Sequence, residues 1–486
     1  MATVGGLSGK LWQVLPRATA RRRALQFMHS RTTRWISSEE QAGSHQIPSV
    51  HPLGVKRHDL WLFGNVGEMI TSIDRRSLVQ CKEPVRVKSS DIECLCSWNL
   101  ASGPGQAITV PGDASRPRTA SLPLTGNTTN DSLHPPVSVS SFRSFNSGVI
   151  LRGHAWDDAL ASLCAMKPNL KLDDVDVMVT QSALVQLLAI ASWTSRHITG
   201  ARGPEGFAFD LSLINNTLVI QKRTPPTNRP LPTPWDWNYY EAATVPVPGV
   251  EYSSTHYQLL RYNIGPFSCL VQTMAHGTVQ ELPTTKGPSK PQKTRNLNGI
   301  EVISAGQGVL TSAAFLASAR PQETDPRTRR KKIAAHLRKR TPYLWASGQT
   351  KLGIVEIIPP GQDADPGGLT VVEMGDLVEN FEKEKQDDLR RLAGLLEWIR
   401  HAVRAHGAPC VAVFNLGPSD EPANYRLRIH SAGPQEVPVL LDWHREHFWS
   451  KKDVHQEQVG PRERASNEDT PPQKGVIRQL ARWLGL

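Results

Sequence analysis

The stretch that most constrains this chain is LLRYNIGPFSCLV, residues 259–271. Leu259, Leu260, Tyr262 and Ile264 lead into Gly265-Pro266, and Phe267, Cys269, Leu270 and Val271 lead out. Apolar runs of this length on either side of a Gly-Pro pair predict two β-strands joined by a turn. After a polar, basic insert at 281–296, Ile300, Val302 and Ile303 predict another strand. Gly306 to Gly308 then form a turn, and a strand or short helix follows to Arg320. This much is a sheet core.

The flanking sequence adds helices and more strands. DIECLCSWNLASGPGQAITVPGD reads as a strand, a Gly/Pro turn and a second strand, with Cys94 and Cys96 expected on one face by alternation. Leu151 to Met166 is a helix candidate. The acids Asp173, Asp174 and Asp176 form a turn before the strand VDVMV. Leu184, Leu187, Leu188 and Ala191 recur at helical spacing over Gln181 to Ser195. Phe207, Phe209, Leu211 and Leu213 alternate up to Asn215-Asn216, and Leu218, Val219 and Ile220 return, which predicts a hairpin. The Pro-rich loop from Pro225 to Asn238 carries Trp235 and Trp237, rings that pack on the sheet or stack on bases. Ile333, Ala334 and Leu337 mark a short helix, Trp345 anchors another against the sheet, and DLVENFEKEKQDDLRRLAGLLEWIRHAVRAHG predicts one long helix capped at Gly407. CVAVFNL and YRLRIHSAG are late strands, and LDWHREHFW is a closing helix. Its His444, Glu446 and His447 lack a consistent metal geometry.

Residues 1–38 contain no Asp or Glu, while Lys10, Arg17, Arg21, Arg22, Arg23, Arg31 and Arg34 alternate with apolar residues. An acid-free, Arg-rich, amphipathic N-terminus is the pattern of a mitochondrial presequence, which places the protein in the matrix. The other reading is a basic tail on nucleic acid. The expected organisation is one α/β domain over 39–450, with disordered insertions at about 113–139 and 281–296. A polar linker at 451–475 and a short basic amphipathic helix at 476–486 follow. No apolar run is long enough to span a membrane. The six cysteines are scattered without a disulfide framework or a zinc pattern. A net charge of +11 favours anionic partners.

In patches from about Ile92 to Gly407, the chain resembles a fungal family of uncharacterised proteins often labelled geranylgeranyl pyrophosphate synthetase. Ser97, Trp98, Asn99, Val110, Pro111 and Gly112 match its LxSYNWL…TIxVPGxPP stretch, Leu344, Trp345 and Thr350 match its LWxSQTP, and the LRRLAGLL segment fits it well. Its central strands read LVRFEVDAY and later ELKTRS. That Glu-x-Asp followed by Glu-x-Lys resembles the core of PD-(D/E)XK nucleases, in particular the decapping exonucleases of RNA 5′ ends. The resemblance implies an α+β fold, a mixed central β-sheet flanked by helices. It also implies carboxylates on adjacent strands holding Mg²⁺ to polarise a phosphate and activate water. Here Met274 and His276 stand at the Glu-x-Asp positions, Phe315 and Ala317 at Glu-x-Lys, and Ser212 at a further family Glu. A thioether and a phenyl ring do not ligate a hard cation, so no catalytic residue, metal or cofactor is expected. The prenyl-synthase label fails on its own chemistry. Asp173-Asp174-Val175-Asp176 is out of register with DDxxD, and Asp157-Asp158 and Asp387-Asp388 lack the third Asp.

The densest charge run follows the degenerate motif: Arg327, Arg329, Arg330, Lys331, Lys332, Arg338, Lys339 and Arg340. Such a run neutralises phosphates without reading sequence, or it is simply a solvated helix face. The expectation is a pseudo-nuclease that binds RNA or another polyanion, or serves as a scaffold, in mitochondria. Two alternatives stand beside it: an active phosphodiesterase with a relocated site using Asp210 and Glu301, and a structural subunit of a mitochondrial assembly such as the ribosome.

Overall fold

In the computed structural model the described residues are 62–74, 76–101, 107–113, 116–117, 156–192, 199–200, 203–204, 206–223, 244–245, 253–275, 277–278, 294–297, 300–304, 313–319, 326–356, 369–415, 426–434 and 438–450. The expected presequence, the loop with Trp235 and Trp237, most of both expected insertions, and the expected linker and C-terminal helix lie outside them.

In chain order the main strands are β1 (Val66–Asp74), β2 (Glu93–Ala101), β3 (Ala107–Val110), β4 (Val177–Thr180), β5 (Phe207–Ile214), β6 (Thr217–Lys222), β7 (Ser253–Ile264) and β8 (Phe267–Ala275). They continue with β9 (Gly277–Thr278), β10 (Thr294–Leu297), β11 (Ile300–Ser304), β12 (Ala313–Ala319), β13 (Lys351–Glu356), β14 (Leu369–Glu373), β15 (Cys410–Asn415) and β16 (Arg426–Ala432). The helices are α1 (Asp157–Met166), α2 (Gln181–Ser192), α3 (Pro326–Ser347), α4 (Gly375–Glu384), α5 (Gln386–His406) and α6 (Asp442–Phe448). Among the described residues twelve strands make one mixed sheet, in the order β1-β16-β15-β5-β6-β4-β8-β7-β2-β3-β11-β10. The mixed central sheet flanked by helices is therefore the fold of this chain. A four-stranded sheet, β9-β12-β13-β14, leaves it where β8 gives way to β9.

The opening hairpin is the centre of the sheet. β7 and β8 pair from His256↔Ala275 to Ile264↔Phe267, and Gly265 turns the chain at φ +58°. That left-handed conformation costs a glycine little. Parallel β4 inserts between β8 and β6, with Leu270↔Met178 and Met178↔Val219.

Alternation gives the sheet two faces. On one, Val177, Val179, Phe209, Leu260 and Val271 meet α2, α5 and the C-terminal part of α3 through Leu184, Leu187, Leu392, Leu396, Leu344 and Trp345. On the other, Met178, Val219, Leu259, Leu270 and Trp98 meet α1 and α6 through Leu160, Leu163 and Phe448. Cys94 and Cys96 do not share a face. Leu259 pairs with Cys96 and Leu260 with Cys94, so Leu95 is an extra residue in the ladder; Cys94 packs with the first core and Cys96 lies in the second. A β-bulge of this kind breaks the alternation that the sequence pattern assumes.

Two helices also depart from expectation. α3 is one helix of 22 residues with Pro342 inside it, not a short piece followed by a separate one. Thr341 Oγ1 donates to the Leu337 carbonyl at 2.9 Å, and burial of Leu344 and Trp345 holds the last turns despite the missing N–H of Pro342. The long helix is broken at Lys385 into α4 and α5. There Gln386 Nε2 donates to the Glu382 carbonyl at 2.9 Å, and both side chains reach out to a strap over residues 77–88. Val85 exchanges hydrogen bonds with the Gln386 amide at 3.1 and 2.8 Å, Val87 N donates to Glu382 Oε1 at 2.7 Å, and Cys81 N donates to the Arg390 carbonyl at 3.1 Å.

β1 is an edge strand. Its pairing with β16 shifts register twice, between Val66 and Met69 and between Met69 and Thr71, and Met69 and Ile70 are exposed.

Candidate functional site on the central sheet

The ladders set a polar row across the middle of the second face. Asp210 pairs with Gln221, Val179 with Ile220, which sets Thr180 level with Gln221, and Thr180 pairs with Gln272. All four side chains are partly exposed, beyond the apolar rows that α1 and α6 cover. Met274 stands two residues past Gln272 on the same face, opposite Tyr257, which is opposite Trp98. Trp98 and Tyr257 stack at 5.5 Å and 14°. On the other side, Val411 links Asp210 to His430. Burial, more than Arg428 beside it, depresses the His430 pKa below the usual imidazole value, so the ring is neutral at pH 7.

The one carboxylate of this row is engaged. Asp210 forms an ion pair with Arg223, whose Nη1 also donates to the Gly64 carbonyl at 2.6 Å. Gln272 Oε1 is buried without a hydrogen-bond partner. Among the described residues no three His, Cys, Asp or Glu side chains are grouped to hold a metal ion. The row offers one ion-paired carboxylate, two amides, a hydroxyl and a thioether; the amides and the hydroxyl suit hydrogen bonding to a ligand, and the thioether does not ligate Mg²⁺ or Mn²⁺.

Of the positions matched to the nuclease motif, Met274, Phe315 and Ala317 lie on strands that meet at the junction of the two sheets. β9 pairs with β12 as Gly277↔Ala314 and Thr278↔Ala313, and β12 also touches β8. Continued, that register sets Met274 level with Ala317 on the backbone; Phe315 stands one step past Ala314 on β12, and His276 is outside the described residues. Ser212 is buried one row below Asp210, on the row of Val219. Asp210 and Glu301 are not neighbours. β5 and β11 are seven strands apart in the sheet order, roughly 34 Å at about 4.8 Å per strand, so they cannot share an ion.

The Trp98-Asn99 motif has a structural role. Asn99 Oδ1 lies 2.9 Å from His256 Nδ1, and Asn99 Nδ2 donates to the Asp113 carbonyl at 2.9 Å. The turn at Val110-Pro111-Gly112 folds back on β2, with Gly112 N and Ser97 O 2.9 Å apart. A Cβ on Gly112 would meet Trp98 C at 2.3 Å, so only glycine fits there. Burial lowers the His256 pKa to about 3. His444 is likewise internal: its Nδ1 accepts from Leu441 N at 3.1 Å, and Nε2 is 3.7 Å from Asp157 Oδ1.

The basic run lies within α3, which packs on the first face through Leu337, Leu344 and Trp345. Met274 and Gln272 face the other way. Lys331, Arg338 and Lys339 are exposed; the remaining cations of the run belong to the same helix. Thr180, Gln221 and Gln272 were not legible as site residues, because their row exists only once parallel β4 separates β6 from β8.

Residues 68–433 match the model of a domain of unknown function, DUF8563, and the chain belongs to that family. Among curated proteins none matches. Solved structures resemble it in overall course. Rai1 of S. pombe is 11% identical with a TM-score of 0.45, over 74% of this chain and 98% of that one. Rai1 of Candida albicans, in complex with pU5-Mn2+, is 10% identical with a TM-score of 0.46, over 78% and 98%. Dxo1 of K. lactis, in complex with manganese, is 7% identical with a TM-score of 0.40, over 77% and 99%.

Proposed function

We propose that this chain is a pseudo-nuclease of the mitochondrial matrix that binds RNA, or another polyanion, without cleaving it. The observation that carries this reading is the make-up of the polar row. Its one carboxylate, Asp210, is neutralised by Arg223, while Thr180, Gln221, Gln272 and Met274 occupy the remaining places. Two-metal phosphoryl chemistry needs several carboxylates converging on one phosphate, and this arrangement does not supply them. The cations of α3 provide the attraction for phosphate. The acid-free presequence supports the compartment.

The test is to incubate the purified protein with end-labelled RNA in Mg²⁺ or Mn²⁺ and to measure binding over a salt series. No product, with affinity falling steeply as salt rises, is the expected result. Product that disappears in Asp210→Asn would replace the reading with an active phosphodiesterase. Affinity independent of salt would remove RNA as the ligand. Import of a fluorescent fusion of residues 1–60 tests the compartment.

A further inference from the structure

The orientation of α3 says which form of RNA it fits. Leu337 packs into the core and Arg340 is half-buried, while Lys331, Ala334, Ala335, Arg338 and Lys339 are exposed. The outward face thus has a cation at one end, a basic pair at the other and two alanines between. Lys331 and Arg338 are seven residues apart, about 10 Å along a helix that rises 1.5 Å per residue. Arg338 Nε donates to the Ala334 carbonyl at 3.2 Å, which keeps its guanidinium close to the helix. Between Pro326 and Thr341 there is no Phe, Tyr or Trp.

We infer that this face of α3 binds the phosphate backbone of double-stranded RNA. Resting on the RNA-binding reading, the inference narrows it to one surface and one form of ligand. Proteins that hold single strands stack bases on aromatic rings, and this face has none to offer. The A-form duplex hides its bases in a deep, narrow major groove edged by phosphates and is held through shape and backbone. The alanines bring the helix backbone close to such an edge, and the cations at either end of them reach phosphates on its two sides.

The experiment uses the full-length protein and fluorescence anisotropy with a mixed-sequence RNA duplex, its single strand and the matching DNA duplex, each at several salt concentrations. The RNA duplex should bind at least ten-fold more tightly than the single strand and more tightly than the DNA duplex. In Lys331→Ala/Arg338→Ala/Lys339→Ala, duplex affinity should fall at least ten-fold. The slope of log affinity against log salt should shrink by roughly 2–3, at about 0.9 for each phosphate no longer neutralised. A control with the same change of charge elsewhere, Lys82→Ala/Lys88→Ala/Lys383→Ala, should change affinity less than three-fold. Unfolding transitions should coincide for all three proteins, since the altered side chains are exposed. RNA binding that is unaffected by the α3 variant, or that prefers the single strand or DNA, overturns this inference while the broader reading stands. Absence of binding to any RNA removes both.

Discussion

Arg400 Nη2 lies 2.9 Å from Asp176 Oδ1, and the Arg400 guanidinium sits 5.9 Å from the centre of the Phe267 ring. Asp176 also accepts from Ser268 N at 3.0 Å, so one carboxylate ties α5 to the start of β8 and the entry of β4. Arg400 is buried. Removing only its partner leaves a charge without compensation. Asp176→Ala should therefore cost about 3 kcal/mol in urea unfolding, the low end for a buried pair because the Asp176 side chain is partly exposed, and Arg400→Met, which removes the buried charge itself, should cost less.

Gly394 lies inside α5, where alanine would normally favour the helix by about 1 kcal/mol. Here a Cβ would be 1.8 Å from the Val79 carbonyl oxygen of the strap. The obstacle is backbone, so the strap must move. Gly394→Ala should destabilise the protein by roughly 2–4 kcal/mol, with new protease cleavage between Val79 and Val87.

His256 titrates at about 3 in the folded chain, because its buried ring resists charge. The unfolded ring binds its proton near pH 6.5. Between those values the unfolded state holds the extra proton, so the stability from this group is present above pH 6.5 and is lost on acidification through that window. From pH 7 to 5 the loss is about 2 kcal/mol. Unfolding free energies from urea titrations of the native protein and His256→Gln, compared at the two values, should show the native protein falling by that much more.

Divalent ions should leave stability unchanged. A site with a dissociation constant a hundred-fold below the added metal would stabilise the fold by about 2.7 kcal/mol. Titration with MnCl₂ to millimolar levels is expected to move the thermal midpoint by under about 1 °C, whereas a shift of several degrees would mean carboxylates gathered at one point.

Local pattern carried much of the architecture. The hairpin at Gly265-Pro266, the hairpin at Asn215-Asn216, helix α2 and the stop at Gly407, which takes φ +73°, all follow from periodicity and turn chemistry. The departures are long-range. The strap claims Glu382 and Gln386 from some 295 to 301 residues away and breaks a helix that reads as continuous. The bulge at Leu95 reverses Cys94, and packing of Leu344 and Trp345 carries α3 across Pro342. The candidate row was illegible for the same reason. Met274 could be singled out by likeness and Asp210 as a carboxylate for a relocated site, but Gln272, Thr180 and Gln221 join Asp210 only through three successive ladders.

The two register breaks in β1 have a use of their own. A wide sheet ending in an even strand with Met69 and Ile70 outward would invite the next molecule to add itself. Out-of-step donors and acceptors deny a newcomer a matching set of bonds, so the border of the sheet discourages fibril growth while its apolar side chains remain in view of solvent.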